Sequence, residues 1–166
     1  MRFNESIPFL MHGIVANSVD RATEEFDVLG LNVAEARVLV AVLQNPGIRV
    51  GQLSDLTCIS QSTMSHLLRR LCRQGLAHRT RADHDNRSVM VRLTPAGSQK
   101  AQRCTRLNVL QEAMIVSGIE PAQIEGFRVL LREIYHKLLP SGIRVESPVE
   151  AINPTRRRKR RTAVEA

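Results

Sequence analysis

Residues 50–75 read VGQLSDLTCISQSTMSHLLRRLCRQG. Two periodic segments lie in this stretch, separated only by Cys58 to Ser60. In the first, about Val50 to Thr57, Val50, Leu53 and Leu56 share one helical stripe. In the second, Gln61 to Gln74, the residues Met64, Leu67, Leu68, Leu71 and Cys72 recur at the spacing of a helix with a single core face. Ser60 is placed to cap that helix with its hydroxyl, and Gly75 to end it, because glycine enters the left-handed conformation of a helix C-terminus without steric cost. The opposite face carries Ser62, Thr63, Ser65, His66, Arg69, Arg70 and Arg73. That face has three arginines and no acid, whereas a merely solvated helix mixes signs, so an anionic partner is expected.

Upstream, apolar residues at Ile7, Leu10, Ile14, Ala22, Phe26 and Leu29 predict an amphipathic helix over about Ser6 to Leu29. A second helix, about Val33 to Gln44, places Ala36, Leu39, Val40 and Leu43 inward and stops at Asn45-Pro46-Gly47. Downstream the period changes. Leu76 to Arg81 is short, and Val89, Val91 and Leu93 alternate with Met90 and Arg92, the two-residue repeat of a strand. The polar residues 82–87 between them predict the turn of a two-stranded hairpin. Thr94-Pro95 then opens a helix, with threonine as cap and proline where its missing N–H costs nothing, running to about Ser117-Gly118. A last helix is expected from Pro121, with Ile124, Phe127, Leu130, Leu131, Ile134 and Leu138 inward, ending at Pro140. Residues 141–166 read as a basic, disordered tail.

The chain has 166 residues and a formal net charge of +8, unevenly spread. Residues 66–92 carry seven arginines against two aspartates, and residues 154–166 carry six basic groups against one acid. Positive charge confined to two short segments is what a protein that meets a polyanion on one face requires. No apolar run approaches the ~18 residues of a membrane span, and the first sixteen residues make a poor secretory leader, so a cytoplasmic setting is expected. Three cysteines (Cys58, Cys72 and Cys104) are too few for a disulfide scaffold. The five histidines pair neither with one another nor with cysteine at ligand spacing, so neither a metal nor a cofactor is expected. No nucleophile–base pair, phosphate-binding glycine loop or paired carboxylates point to an enzyme.

Two helices joined by a three- or four-residue turn make a helix-turn-helix, whose second helix enters the DNA major groove. Base edges come within reach at that helix's N-terminal end, where small polar side chains are needed, and Ser60, Gln61, Ser62, Thr63, Ser65 and His66 supply them. Phosphates need cations further along, which Arg69, Arg70 and Arg73 supply, with Arg79 and Arg81 extending the set onto the hairpin. Arg87 at the hairpin turn is the side chain that can use the enhanced negative potential of a narrow minor groove.

At this level of detail the sequence resembles the MarR family of bacterial winged-helix transcriptional regulators. The resemblance is carried by Leu53-Ser-Asp-Leu56, the run from Ser60 to Leu71, Gly75-Leu-Ala-His-Arg79, Asp85-Asn-Arg87 and Leu93-Thr-Pro-Ala-Gly97, with residues 34–47 matching the helix that precedes the motif. It implies a mainly α fold with a small β-hairpin wing: a winged helix-turn-helix over 31–93, a helical dimerisation region from 1–30 and 94–140, and an obligate homodimer. Asp85 would then orient Arg87 or a nearby arginine, and a small aromatic or phenolic anion would act as effector. Three positions depart from the family pattern: Asn86 where a second arginine is common, Ser54 in place of alanine, and Cys72 in place of an acid.

The expected function is a sequence-specific regulator, a repressor, on an inverted repeat in double-stranded DNA. Redox sensing through Cys58 or Cys104 is the alternative signal, since an exposed thiolate beside a cation would serve it. Two other classes stay open on the residues alone. One is a non-specific nucleoid or RNA-binding protein using the same basic face, and the other is a winged-helix protein-docking module. The run Arg156 to Arg161 is read as a sequence-independent clamp on DNA.

Overall fold

A computed structural model of the chain describes residues 2–82 and 85–138, with only the backbone described at 81, 82 and 85–88. After a single 3-10 turn at Phe3–Glu5 come α1 (Ile7–Asp27), α2 (Val33–Gln44), β1 (Ile48–Arg49), α3 (Val50–Thr57), α4 (Gln61–Arg73), β2 (Ala77–Ala82), β3 (Asp85–Leu93), α5 (Pro95–Ile115) and α6 (Pro121–Leu138). Residues up to Ile124 make one compact unit, and α6 from Glu125 onward belongs to a second. Among the described residues no helix is long and apolar enough to cross a membrane.

The centre of the first unit is α2, whose Ala36, Val38, Leu39, Ala41 and Val42 are all buried. Its start is fixed by a reciprocal cap. The Asn32 side chain accepts the Glu35 N–H (2.8 Å), and Glu35 Oε2 accepts the Asn32 N–H (3.0 Å). Leu53 of α3, Met64, Leu68 and Leu71 of α4, Val91 of β3, and Ala101 and Cys104 of α5 close the core around it.

The sheet has three strands in the order β1-β3-β2, where the sequence predicted two. After the turn at Gly47 (φ 79°), whose N–H donates to the Val91 carbonyl (3.1 Å), Ile48 and Arg49 pair antiparallel with Val91 and Met90. A two-residue strand is too short to display an alternating pattern, so only its tertiary pairing reveals it. The longer strands pair Ala77 with Leu93 and Arg79 with Val91, with an irregularity at Arg81/Ala82. β3 begins at Asp85, earlier than the predicted Val89, which leaves only residues 83 and 84, outside the described residues, between the strands.

The junction of wing and α5 is tight. Thr94 caps α5 by accepting the Gly97 N–H (3.0 Å), donates its hydroxyl to the Gly75 carbonyl (2.7 Å), and gives its own N–H to the Leu76 carbonyl (3.1 Å). Gly97 lies so close to that Leu76 carbonyl that any Cβ would overlap it. The far half of α5 leaves the core: Val109, Leu110, Met114 and Ile115 are exposed.

Two expectations of burial are corrected. In α1 only Ala22 and Phe26 are buried, while Ile7, Leu10 and Ile14 are exposed. No residue of α6 is buried, and Phe127, Leu130 and Leu138 are 53–74% exposed. Periodicity correctly located an apolar face in each helix but could not say what covers it.

Candidate nucleic-acid interface

α3 ends in a left-handed residue, Cys58 (φ 54°, ψ 34°), whose N–H donates to the Asp55 carbonyl (3.3 Å) while Ile59 N–H donates to that of Ser54 (3.1 Å). This reversal directs the chain into Ser60. Arg37 of α2 reaches the same turn, its Nη1 donating to the Thr57 carbonyl (3.4 Å). Ser60 caps α4 as expected: its Oγ accepts the Thr63 N–H (3.3 Å), donates to Thr63 Oγ1 (2.9 Å) and lies 3.0 Å from Ser62 Oγ. The helix thus presents a cluster of hydroxyls at its electropositive end.

Along α4 the two faces separate cleanly. Met64, Leu68 and Leu71 are fully buried. Ser62, His66, Arg69 and Arg73 recur at steps of four, three and four on the exposed side, with Gln61 and Thr63 also exposed. Ser65 is half-buried and donates its hydroxyl to the Gln61 carbonyl (2.9 Å), so it has less freedom toward a ligand than its neighbours.

Two of the expected phosphate contacts have partners within the protein. Arg70 Nε lies 2.9 Å from Oε1 of Glu35, a completely buried carboxylate on α2, yet out of hydrogen-bonding alignment, so the contact is an ion pair. Arg79 on β2 donates from Nη2 to the Ser65 carbonyl (3.1 Å). The sequence reading did not single out Glu35 or Arg37. The pattern Asn32-x-x-Glu35 is a capping-box signature and could have flagged the first.

Arg81, Asp85 and Arg87 fall on β2 and β3 by backbone, but their side chains lie outside the described residues, as does the run Arg156–Arg161. None of the three cysteines is in a disulfide. Cys104 does not meet the requirement for a redox thiol. It is fully buried, and burial pushes its thiol pKa up, against smaller lowering effects of a backbone hydrogen bond and Lys100. Cys58 is exposed and Cys72 partly buried. Away from this face, Ile14, Asn17, Ser18 and Arg21 of α1 and Gln111, Met114 and Ile115 of α5 line a solvent-open cavity of about 270 Å³.

A capped second helix with a polar, cationic face, a preceding short helix and a three-stranded wing define a winged helix-turn-helix protein. Residues 29–88 match the MarR family model. Over 138 residues, 81% of each chain, the sequence is 24% identical to the HTH-type transcriptional repressor IacR of Pseudomonas putida. The fold resembles that of a MarR family transcriptional regulator from Silicibacter pomeroyi (TM-score 0.74, 29% identity, covering 82% of this chain and 92% of that one). It also resembles a putative MarR family regulator from Listeria monocytogenes solved with a 26mer DNA (TM-score 0.77, 22% identity, covering 81% and 89%). The chain is thus similar to MarR family transcriptional regulators, in sequence over residues 29–88 and in fold over most of its length.

Proposed function

We propose that this regulator is a homodimeric repressor that binds a short inverted repeat and leaves it when a small aromatic or phenolic anion binds. The carrying observation is the exposed line of Ser62, His66, Arg69 and Arg73 on a helix capped by Ser60, flanked by the wing. Hydroxyls at the N-terminal end read base edges, and Arg69 and Arg73 neutralise phosphates. Arg87 enters the flanking minor groove, with Asp85 orienting it, and Arg81 adds a phosphate contact. The tail run Arg156–Arg161 adds salt-sensitive affinity for any sequence.

Dimerisation through residues 1–30 and 94–140 accounts for the apolar side chains left uncovered on α1, the end of α5 and α6. An obligate interface resembles a core cut in half. Two-fold symmetry then sets the half-sites about one helical turn apart, ~34 Å. For the effector, the α1–α5 cavity pairs the Arg21 cation with apolar Ile14, Met114 and Ile115, the combination that an aromatic anion needs.

The test is a mobility shift on the DNA flanking this chain's own reading frame, with and without salicylate-like compounds and with oxidant. A sequence-selective shift released by the compounds is expected. Affinity equal across unrelated sequences would replace the proposal with non-specific nucleoid binding. Release by oxidant in wild type but not in Cys58→Ser would replace the ligand with a redox signal.

A further inference from the structure

Among the described residues, Arg70 and Arg79 are the two arginines at α4 that the structure ties back to the protein, and they hold the helix from different sides. Ser62, His66, Arg69 and Arg73 mark the outward line. Arg70 sits one residue, about 100°, round the helix from Arg69, at the flank that faces α2. There its Nε meets the Oε1 of Glu35, 2.9 Å away. The Arg70 side chain is 50% exposed whereas that of Glu35 is 0% exposed, so the pair links a surface cation to an interior anion. Glu35 is itself immobilised, because its other oxygen closes the cap of α2 on Asn32. Ser65 lies about 100° on the other side of His66, toward the opposite flank, and its carbonyl receives the N–H of Arg79 from β2.

We propose that Arg70 and Arg79 are positioning residues that bracket α4 and fix its rotation, and that neither is a phosphate ligand; this rests on the DNA-binding function proposed for the same face. A buried carboxylate needs its cation in place, so a guanidinium leaving for a phosphate would strand Glu35 without compensation. Fixing the rotation determines which side chains reach base edges. Losing the bracket therefore harms discrimination between sequences, whereas losing a phosphate ligand weakens all sequences alike and flattens the salt dependence.

The experiment compares two duplexes over a range of KCl concentrations: DNA flanking this chain's own reading frame, and a shuffled duplex of the same length and composition. The variants are Arg69→Ala, Arg79→Met, Arg70→Met and the double variant Glu35→Gln/Arg70→Met. The double variant removes both charges together, and glutamine preserves the α2 cap. Arg69→Ala is expected to weaken both duplexes alike and to lower the slope of log affinity against log salt by about one per subunit. Arg79→Met and the double variant are expected to leave the slope on the shuffled duplex unchanged while the preference for the flanking DNA falls about tenfold or more.

A slope on the shuffled duplex reduced by about one per subunit in either would overturn the proposal and make that arginine a phosphate ligand. Melting of the free protein tests the ion pair independently of DNA. Arg70→Met alone should melt below the double variant, and equal melting temperatures would show that the pair is not coupled. If wild type fails to distinguish the two duplexes, the DNA-recognition function falls, while the melting comparison still decides the Arg70–Glu35 side of the bracket.

Discussion

Ser54 illustrates what a single buried atom costs. Its side chain is enclosed in the helix-turn-helix, and its Oγ has no hydrogen-bond partner among the described residues. A buried hydroxyl without a partner forfeits its hydration for nothing in return. Ser54→Ala, which also improves helix propensity, should raise stability by about 1 kcal/mol, seen as a higher midpoint in urea denaturation with an unchanged slope. Gly97 is the opposite case. The hydrogen that stands where a Cβ would be faces the Leu76 carbonyl that also receives the Thr94 N–H, so Gly97→Ala must push the wing away from α5. A loss of about 3 kcal/mol or more is expected in the same measurement.

Cys104 and Cys58 separate by environment. Cys104 is buried with its thiol pKa raised above the ordinary 9.0, and Cys58 is exposed at the motif's turn. Under native conditions iodoacetamide should label Cys58 first, with Cys104 reacting only on unfolding; mass spectrometry of the peptides reports the order. The folded state holds the Cys104 proton more tightly than the unfolded chain does. Stability from this group is therefore fully present below the unfolded thiol's pKa and declines as pH rises past it.

The elements divide the labour of recognition. The N-terminal turn of α4 carries hydroxyls and its later turns carry outward-facing cations, which gives each end a different signature on substitution. Ser62→Ala/Thr63→Ala should abolish preference for the operator over unrelated DNA while leaving general affinity nearly intact. Arg73→Ala should weaken all duplexes alike, and a changed preference instead would reverse these assignments; competition mobility shifts check both.

Most of the helices were legible because caps and breakers are local. Asn45-Pro46-Gly47, Ser60, Gly75 and Thr94-Pro95 each act within a few residues, and each bounds an element at or next to the predicted place. β1 was not legible. Its two residues become a strand only through Val91 and Met90, more than forty positions away in the chain. The rows of hydroxyls and arginines on α4 were equally legible, since helical spacing fixes which residues share a face. Which arginines are already engaged was not, because Glu35 and Ser65 approach them from other parts of the chain or through the backbone.

At the scale of the whole molecule, the apolar faces of α1, α5 and α6 are the largest unmet demand. Phe127 and Leu130, both more than half exposed in the single chain, would be covered in the proposed dimer. Phe127→Glu/Leu130→Glu should therefore shift the protein from dimer to monomer in sedimentation equilibrium and cut affinity for a two-half-site duplex by about a hundredfold or more. An unchanged molecular mass would place the dimer contact elsewhere.

The sequence by itself determined the helices, their caps, the core face of α4 and the concentration of positive charge beside it, because period, capping chemistry and charge act over one or two turns of chain. Tertiary structure alone decided the third strand, the absence of side-chain space at Gly97, the burial of Cys104 and the engagement of Arg70 and Arg79 within the protein. Each of these depends on groups brought together from distant positions, where distance and enclosure, not residue type, set the energy.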